Sequence, residues 1–164
     1  MFCSGMKTAM NLNLPSVYLW GHLAAAVSMA AIMVVVEMVS YPLFSCVPAA
    51  AFVTYHHAHV RRISVAVGLP LAVQVVTVLL ALGFCAGPLV YVCLLLTAVE
   101  VALTAFGAVP AHLRLRRGFD AQVYRRLRMA HGMRTAVWVI HSFVLLAAVA
   151  TGSAWEAAWF MPGG

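Results

Sequence analysis

The sequence predicts an all-α protein: an integral membrane four-helix bundle with interfacial amphipathic helices on its cytoplasmic side. Hydrophobic residues make up 65% of the 164 residues and charged residues only 9%, whereas charged residues make up about 25% of a soluble domain. A membrane-spanning helix needs about 20 apolar residues, and four runs are long enough. They lie at about residues 17–39, 63–85, 88–109 and 135–155 and form one membrane domain over residues 1–164.

Prolines define the predicted end of the first span and the predicted start of the helix that follows it. The first span is expected to end at Tyr41-Pro42, because proline disfavours the helical conformation in the residue before it. Pro48 suits the first position of a new helix. We expect that helix to run from Ala49 past Arg62 directly into the second span.

The third span follows a tight turn at Gly87-Pro88 and is predicted to end at Val109-Pro110. Arginines alternate with apolar side chains over residues 112–128. This mixture is typical of an amphipathic helix on the membrane surface, and we expect a break at Gly118. The fourth span then begins near Thr135.

The basic residues predict the orientation. The net charge is +6, and all basic residues except Lys7 lie in the connections between spans one and two or between spans three and four. The positive-inside rule places these connections in the cytoplasm and both termini outside, as in a bacterial inner (plasma) membrane. We expect the arginines to contact anionic lipid headgroups rather than nucleic acid.

Polar residues inside the apolar runs predict a buried site. An ionisable side chain within a span costs about 2.5–3.5 kcal/mol and therefore usually faces the protein interior. The predicted metal ligands are Glu37, His56, His59, Glu100 and His112. The predicted proton donors and supporting catalytic residues are His131, His141 and Arg134. Mixed carboxylate and imidazole ligands favour a transition metal, with non-haem iron the preferred candidate.

Five short segments carry a resemblance to a known family. They are Glu37 with Tyr41-Pro42-Leu43-Phe44, Tyr55-His56-His57-Ala58-His59, Val109-Pro110-Ala111-His112-Leu113, Gly118-Phe119-Asp120, and Leu127 with Arg134-Thr135 and Trp138. Together they resemble an uncharacterised family of small bacterial four-span membrane proteins. That family is similar in layout to the anthrone-oxygenase-like membrane proteins, which implies oxidation of a hydrophobic aromatic substrate by dioxygen. Gln74, His131 and His141 depart from the family pattern.

Two classes of function remain open from the sequence. The first is a metal-dependent oxidoreductase acting on a hydrophobic small molecule. The second is a non-enzymatic accessory or assembly subunit, or a small metal- or proton-coupled transporter, within a homo-oligomer or larger membrane complex. A haem protein is not expected, because apolar-run counting places His22 near the outer surface and His141 in the cytoplasmic half.

Overall fold

The computed structural model describes residues 14–84 and 87–151, with side chains from Tyr18 onward except that of Phe84. These residues form four helical rods that are long and apolar enough to cross a membrane, as expected of a multi-pass membrane protein. The candidate membrane spans within these rods are Tyr18–Phe44, Ala49–Gly83, Pro88–Leu115 and Ala121–Ala150. The all-helical prediction is therefore confirmed for the described part of the chain.

The rods consist of six α-helices and two π-helical segments. Rod one contains α1 (Leu14–Val35), a π segment (Val36–Ser40) and α2 (Tyr41–Phe44). Rod two is the single helix α3 (Ala49–Phe84). Rod three contains α4 (Pro88–Ala102), a π segment (Leu103–Ala108) and α5 (Val109–Leu115), and rod four is α6 (Ala121–Ala150).

The π segments carry rods one and three past the prolines at which they were predicted to end. The Tyr41 N–H donates to the Val36 carbonyl, five residues back, and the Val109 N–H donates to the Thr104 carbonyl in the same way. Within an α-helix, a proline ring clashes with the carbonyl four residues back. The wider π turn directly before each proline changes the position of that carbonyl, so the helical rod continues. The predicted ends at Tyr41-Pro42 and Val109-Pro110 were therefore wrong.

The arginine-rich segment does not form a separate helix in the described structure. Its first residues end α5 and its last residues begin α6, with a turn over residues 116–120 between them. The expected break at Gly118 is confirmed, because this residue adopts a φ of 145°. Rod four consequently begins at Ala121 instead of near residue 135, about four helical turns earlier than predicted.

The interior is divided into layers along the bundle. We call the end with the two turns at residues 45–48 and 116–120 the arginine end, and the opposite end the termini end. α1 packs mainly on α3 and α6. The apolar layer at the termini end, here called the apolar seal, contains Leu19, Leu23, Ala26, Val78, Ala81, Leu89, Val90 and Leu145.

Candidate metal centre and polar interior

All four rods contribute to a polar cluster that adjoins the apolar seal, and Cys93 packs in both. This deep cluster consists of His22, Gln74, Cys93, Glu100 and His141, all with side chains that are completely buried (0% exposed). Buried polar groups are stable only when their hydrogen-bonding capacity is satisfied. The partners of each group therefore constrain where its hydrogens lie.

The hydrogen on His22 can be placed from its neighbour. His22 Nδ1 lies 2.8 Å from the Thr77 hydroxyl oxygen. That hydroxyl donates its hydrogen to a backbone carbonyl, at 2.8 Å from Val73 O or 3.1 Å from Gln74 O. Because a hydroxyl has a single hydrogen, it accepts from His22 Nδ1–H. A neutral His22 therefore carries its lone pair on Nε2.

The position of the hydrogen on His141 depends on the charge of Glu100. His141 Nδ1 lies 3.0 Å from Glu100 Oε1, and Gln74 Nε2 donates to Glu100 Oε2 at 3.0 Å. Gln74 Nε2 also lies 2.9 Å from His141 Nδ1. An ionised Glu100 is satisfied when His141 Nδ1–H and the Gln74 amide both donate to it. A neutral His141 then also carries its lone pair on Nε2.

With Glu100 ionised, these assignments leave two lone pairs directed at each other. His22 Nε2 and His141 Nε2 are 3.2 Å apart, and the Cys93 thiol completes a group whose ligand atoms all lie within 4.8 Å of one another. Tetrahedral ligands at about 2.0–2.1 Å from a metal lie about 3.3–3.4 Å apart. The group can therefore hold a metal ion with little movement of its imidazoles.

A second polar cluster lies at the arginine end. Its members are Tyr41, His56, His59, His112 and His131. His56 Nε2 contacts His112 Nδ1 at 3.1 Å, and His112 Nε2 contacts the Tyr41 hydroxyl at 3.2 Å. The ring of His59 lies 6.3 Å from that of His112, and the ring of His131 lies 4.6 Å from that of Tyr41. We call this group the arginine-end cluster.

Glu37 lies at the edge of this cluster and is neutralised by an arginine. Arg128 donates to Glu37 Oε1 at 2.8 Å, and the Glu37 side chain is 26% exposed. The other carboxylate oxygen is 3.9 Å from His131 Nε2, which is itself 3.0 Å from the Met33 carbonyl oxygen. Glu37 is thus committed to an ion pair near the surface of the bundle.

The structure divides the predicted metal ligands between the two clusters. Glu100 lies in the deep cluster, whereas His56, His59 and His112 lie at the arginine end and Glu37 pairs with Arg128. Among the residues with described side chains, the group of three potential ligands that comes together is His22, Cys93 and His141. His141, predicted as a proton donor, thus lies among the potential ligands.

The expectation that His22 and His141 lie at different depths was wrong. His22 lies about two turns from the start of α1 at Leu14, and His141 lies about two and a half turns before the end of α6 at Ala150. These two helix ends meet at the termini end, so the depths match. The sequence did indicate that Cys93 faces the interior, because it shares one helical stripe with Glu100. The incorrect predicted start of rod four concealed the common depth of His22 and His141.

Arg134 connects the two clusters. Its side chain is buried (5% exposed), and it interacts electrostatically with Tyr41 at one end and Glu100 at the other. Its Nε has no hydrogen-bond partner among the described residues. A row of polar groups therefore runs from the deep cluster to the arginine end, whereas the apolar seal covers the opposite side.

Comparisons with known proteins do not identify the chain. No family model, no curated protein and no solved structure matches it. The resemblance to small bacterial four-span membrane proteins accordingly stays a prediction.

Proposed function

We propose that this chain is a multi-pass membrane metalloprotein of the oxidoreductase class, with a redox-active metal held by His22, Cys93 and His141. The observation that carries the proposal is the 3.2 Å approach of two imidazole nitrogens, whose rings are held by contacts of Nδ1 with the Thr77 hydroxyl at 2.8 Å and with Glu100 Oε1 at 3.0 Å. A cation between these lone pairs would turn a repulsion into an attraction. In this proposal, the arginine end faces the bacterial cytoplasm and both termini lie outside.

The ligand set favours copper over the predicted non-haem iron. Two imidazoles and a thiolate are softer ligands than the carboxylate and imidazole set predicted from the sequence, and they suit copper or zinc. Copper would supply one-electron redox chemistry, which zinc lacks. Glu100 would orient His141, as carboxylates do for many metal-binding histidines, and Gln74 would hold Glu100 in place.

The asymmetry of the interior favours redox chemistry over transport. A transporter needs a polar route on both sides of its binding site, but the described residues of the apolar seal offer none at the termini end. The opposite side offers Arg134, Tyr41 and His112. These groups can deliver protons to a buried centre from one face of the membrane, which is what a proton-coupled redox reaction needs.

A hydrophobic substrate could approach through the lipid-facing groove between α1 and α6. This groove has a volume of about 460 Å³ and is lined by Val27, Val34, Val139, Ser142 and Phe143, among others. Ser142 directly follows His141 in α6. We propose that an apolar molecule enters here from the bilayer, since the lining is almost entirely aliphatic and aromatic.

Metal analysis of the purified protein tests the proposal. The protein is reconstituted with copper, iron, manganese or zinc in separate samples. We expect about one copper ion per chain in the copper sample, measured by elemental mass spectrometry. His22→Ala and Cys93→Ser should each abolish stoichiometric binding. The matched controls His57→Ala and Cys46→Ser alter exposed residues of the same types and should retain the metal.

A competing arrangement would give a different result. If Glu100 is protonated and donates to His141 Nδ1, His141 Nε2–H donates to His22 and the cluster is satisfied without a metal. The wild-type protein would then stay metal-free under every reconstitution, and infrared spectra would show a protonated carboxyl band that Glu100→Gln removes. That outcome would favour the non-enzymatic alternative, an accessory or proton-coupled membrane subunit with the same polar row.

A further inference from the structure

A pocket on the α3 side of the arginine end is built from hydrogen-bond donors and positive charge. It has a volume of about 570 Å³. Its polar lining consists of Thr54, His57, Arg61 and Ser64 from α3 and Arg116 from the turn after α5. The α3 residues recur every three or four positions and therefore share one face of the helix. We call this the arginine pocket.

No carboxylate lines the arginine pocket, and its two guanidinium groups have no ion pair or side-chain hydrogen bond within the described part of the chain. The acidic residues that the structure describes are engaged elsewhere. Glu37 binds Arg128, Glu100 lies in the deep cluster, and Asp120 caps α6. The pocket therefore lacks a counterion from its own chain, and its chemistry matches an anion.

The depth of the pocket indicates which anion. α3 has 36 residues and is about 54 Å long, whereas the hydrocarbon core of a bilayer is about 30 Å thick, or about 20 helical residues. Counting back from Phe84 at the termini end places the hydrocarbon boundary near Ser64. Arg61 then lies one turn further, at the level of the lipid headgroups.

The surface beyond the pocket suits an acyl chain. Val65 and Leu69 follow on the same helix and are 75% and 72% exposed. An amphiphile with its charged group at Arg61 can therefore lay an apolar tail along these side chains. A soluble anion would use the charged part of this surface and leave the apolar part without a role.

We propose that the arginine pocket binds the phosphate group of an anionic phospholipid. Arg61 and Arg116 bind the phosphate oxygens through paired N–H donors. The hydroxyl of Ser64, one turn along α3 from Arg61, donates to the same group, and the acyl chains lie along Val65 and Leu69. The site is separate from the deep cluster and does not depend on a bound metal.

Native mass spectrometry of the purified full chain tests this site. The probes are phosphatidylglycerol, phosphatidylcholine and inorganic phosphate, each added to the detergent solution at a series of concentrations. We expect retention of phosphatidylglycerol with much weaker retention of phosphatidylcholine. The double variant Arg61→Ala, Arg116→Ala should weaken phosphatidylglycerol binding roughly tenfold or more, since two charge-assisted contacts are removed.

The matched control is Arg125→Ala, Arg126→Ala, which removes the same charge outside the arginine pocket and should change binding less than about twofold. The single change Arg61→Lys keeps the charge but loses the paired donors, so it should weaken binding even if the double variant does not fold. Equal losses in the control pair, equal retention of phosphatidylcholine, or displacement of the lipid by millimolar inorganic phosphate would each overturn the proposal. The last result would assign the pocket to a free phosphate.

Discussion

The substitution Glu100→Gln tests whether Glu100 supports a metal held by the deep cluster or binds the metal itself, as the sequence predicted. In the structure, Glu100 does not face the paired nitrogens directly; its Oε1 lies 3.0 Å from Nδ1 of His141, on the far side of the imidazole from His22. The amide oxygen of glutamine can accept the same hydrogen bond, so the shape of the site is retained. The negative charge that polarises His141 is lost.

The magnitude follows from the effect of such outer carboxylates. Removing a group that orients a metal-binding histidine typically lowers metal affinity about 10–100-fold, which corresponds to about 1.4–2.8 kcal/mol. We expect Glu100→Gln to weaken copper binding by this factor, measured by competition with a chelator of known affinity. Circular dichroism should show unchanged helix content.

The matched control is Glu37→Gln, the same substitution at the other carboxylate within the spans. Glu37 contacts Arg128 and approaches His131, so its replacement should leave copper affinity unchanged. If Glu37→Gln weakened binding as much as Glu100→Gln, both carboxylates would act on one metal, as the sequence predicted. If neither variant changed the affinity, the proposed role of Glu100 would be refuted.

Three further predictions concern packing, capping and orientation. Gly107→Ala should destabilise the bundle by about 1–3 kcal/mol, because its new Cβ would lie 3.0 Å from the Cβ of Ala130. The matched control is Gly68→Ala, whose new Cβ meets nothing within 4 Å. Thermal unfolding in detergent measures both variants. The Gln122 and Val123 backbone N–H groups hold the pKa of Asp120 below its usual value, Val123 contributing most. The stabilising contribution of this cap is therefore fully present above the unfolded pKa of about 3.9 and is lost as the pH falls through the lowered folded-state pKa; Asp120→Asn should remove that dependence while keeping the cap. A reporter enzyme fused to the C-terminus should be active only outside the cytoplasm.

The helices were predictable from the sequence, as were the starts of α3 at Ala49 and α4 at Pro88, but several other ends were not. Counting apolar residues finds the part of a helix that suits a bilayer and stops at the first arginines. Backbone hydrogen bonding does not stop there, because α6 begins at Ala121 and includes Arg125, Arg126 and Arg128. The proline rule failed at Pro42 and Pro110 for a different reason, since it assumes α-helical turns and the structure has π turns before both residues.

The inward-facing stripes were predictable as well, but their pairing was not. Glu100, His56, His131 and His141 are all buried, as helical spacing indicated. Which residues of different stripes meet depends on their depth in the bundle, and depth was measured from the predicted helix ends. The error in the start of α6 moved His141 away from His22 and towards the arginine end, and so it concealed the deep cluster.

The charge balance of the buried region leads to a last prediction, which rests on the proposed metal. A thiolate at Cys93 and an ionised Glu100 contribute two negative charges, and buried Arg134 contributes one positive charge. A monovalent copper ion would make this region neutral, so the balance favours the reduced metal. Arg134→Gln should therefore lower the reduction potential, because removing a nearby positive charge stabilises the oxidised ion. Arg128→Gln, which alters an exposed arginine (45%) paired with Glu37, should shift the potential far less, since solvent screens it. A redox titration followed by absorption spectroscopy measures both, and an equal shift in the two variants would show that Arg134 does not act on the metal from within the bundle.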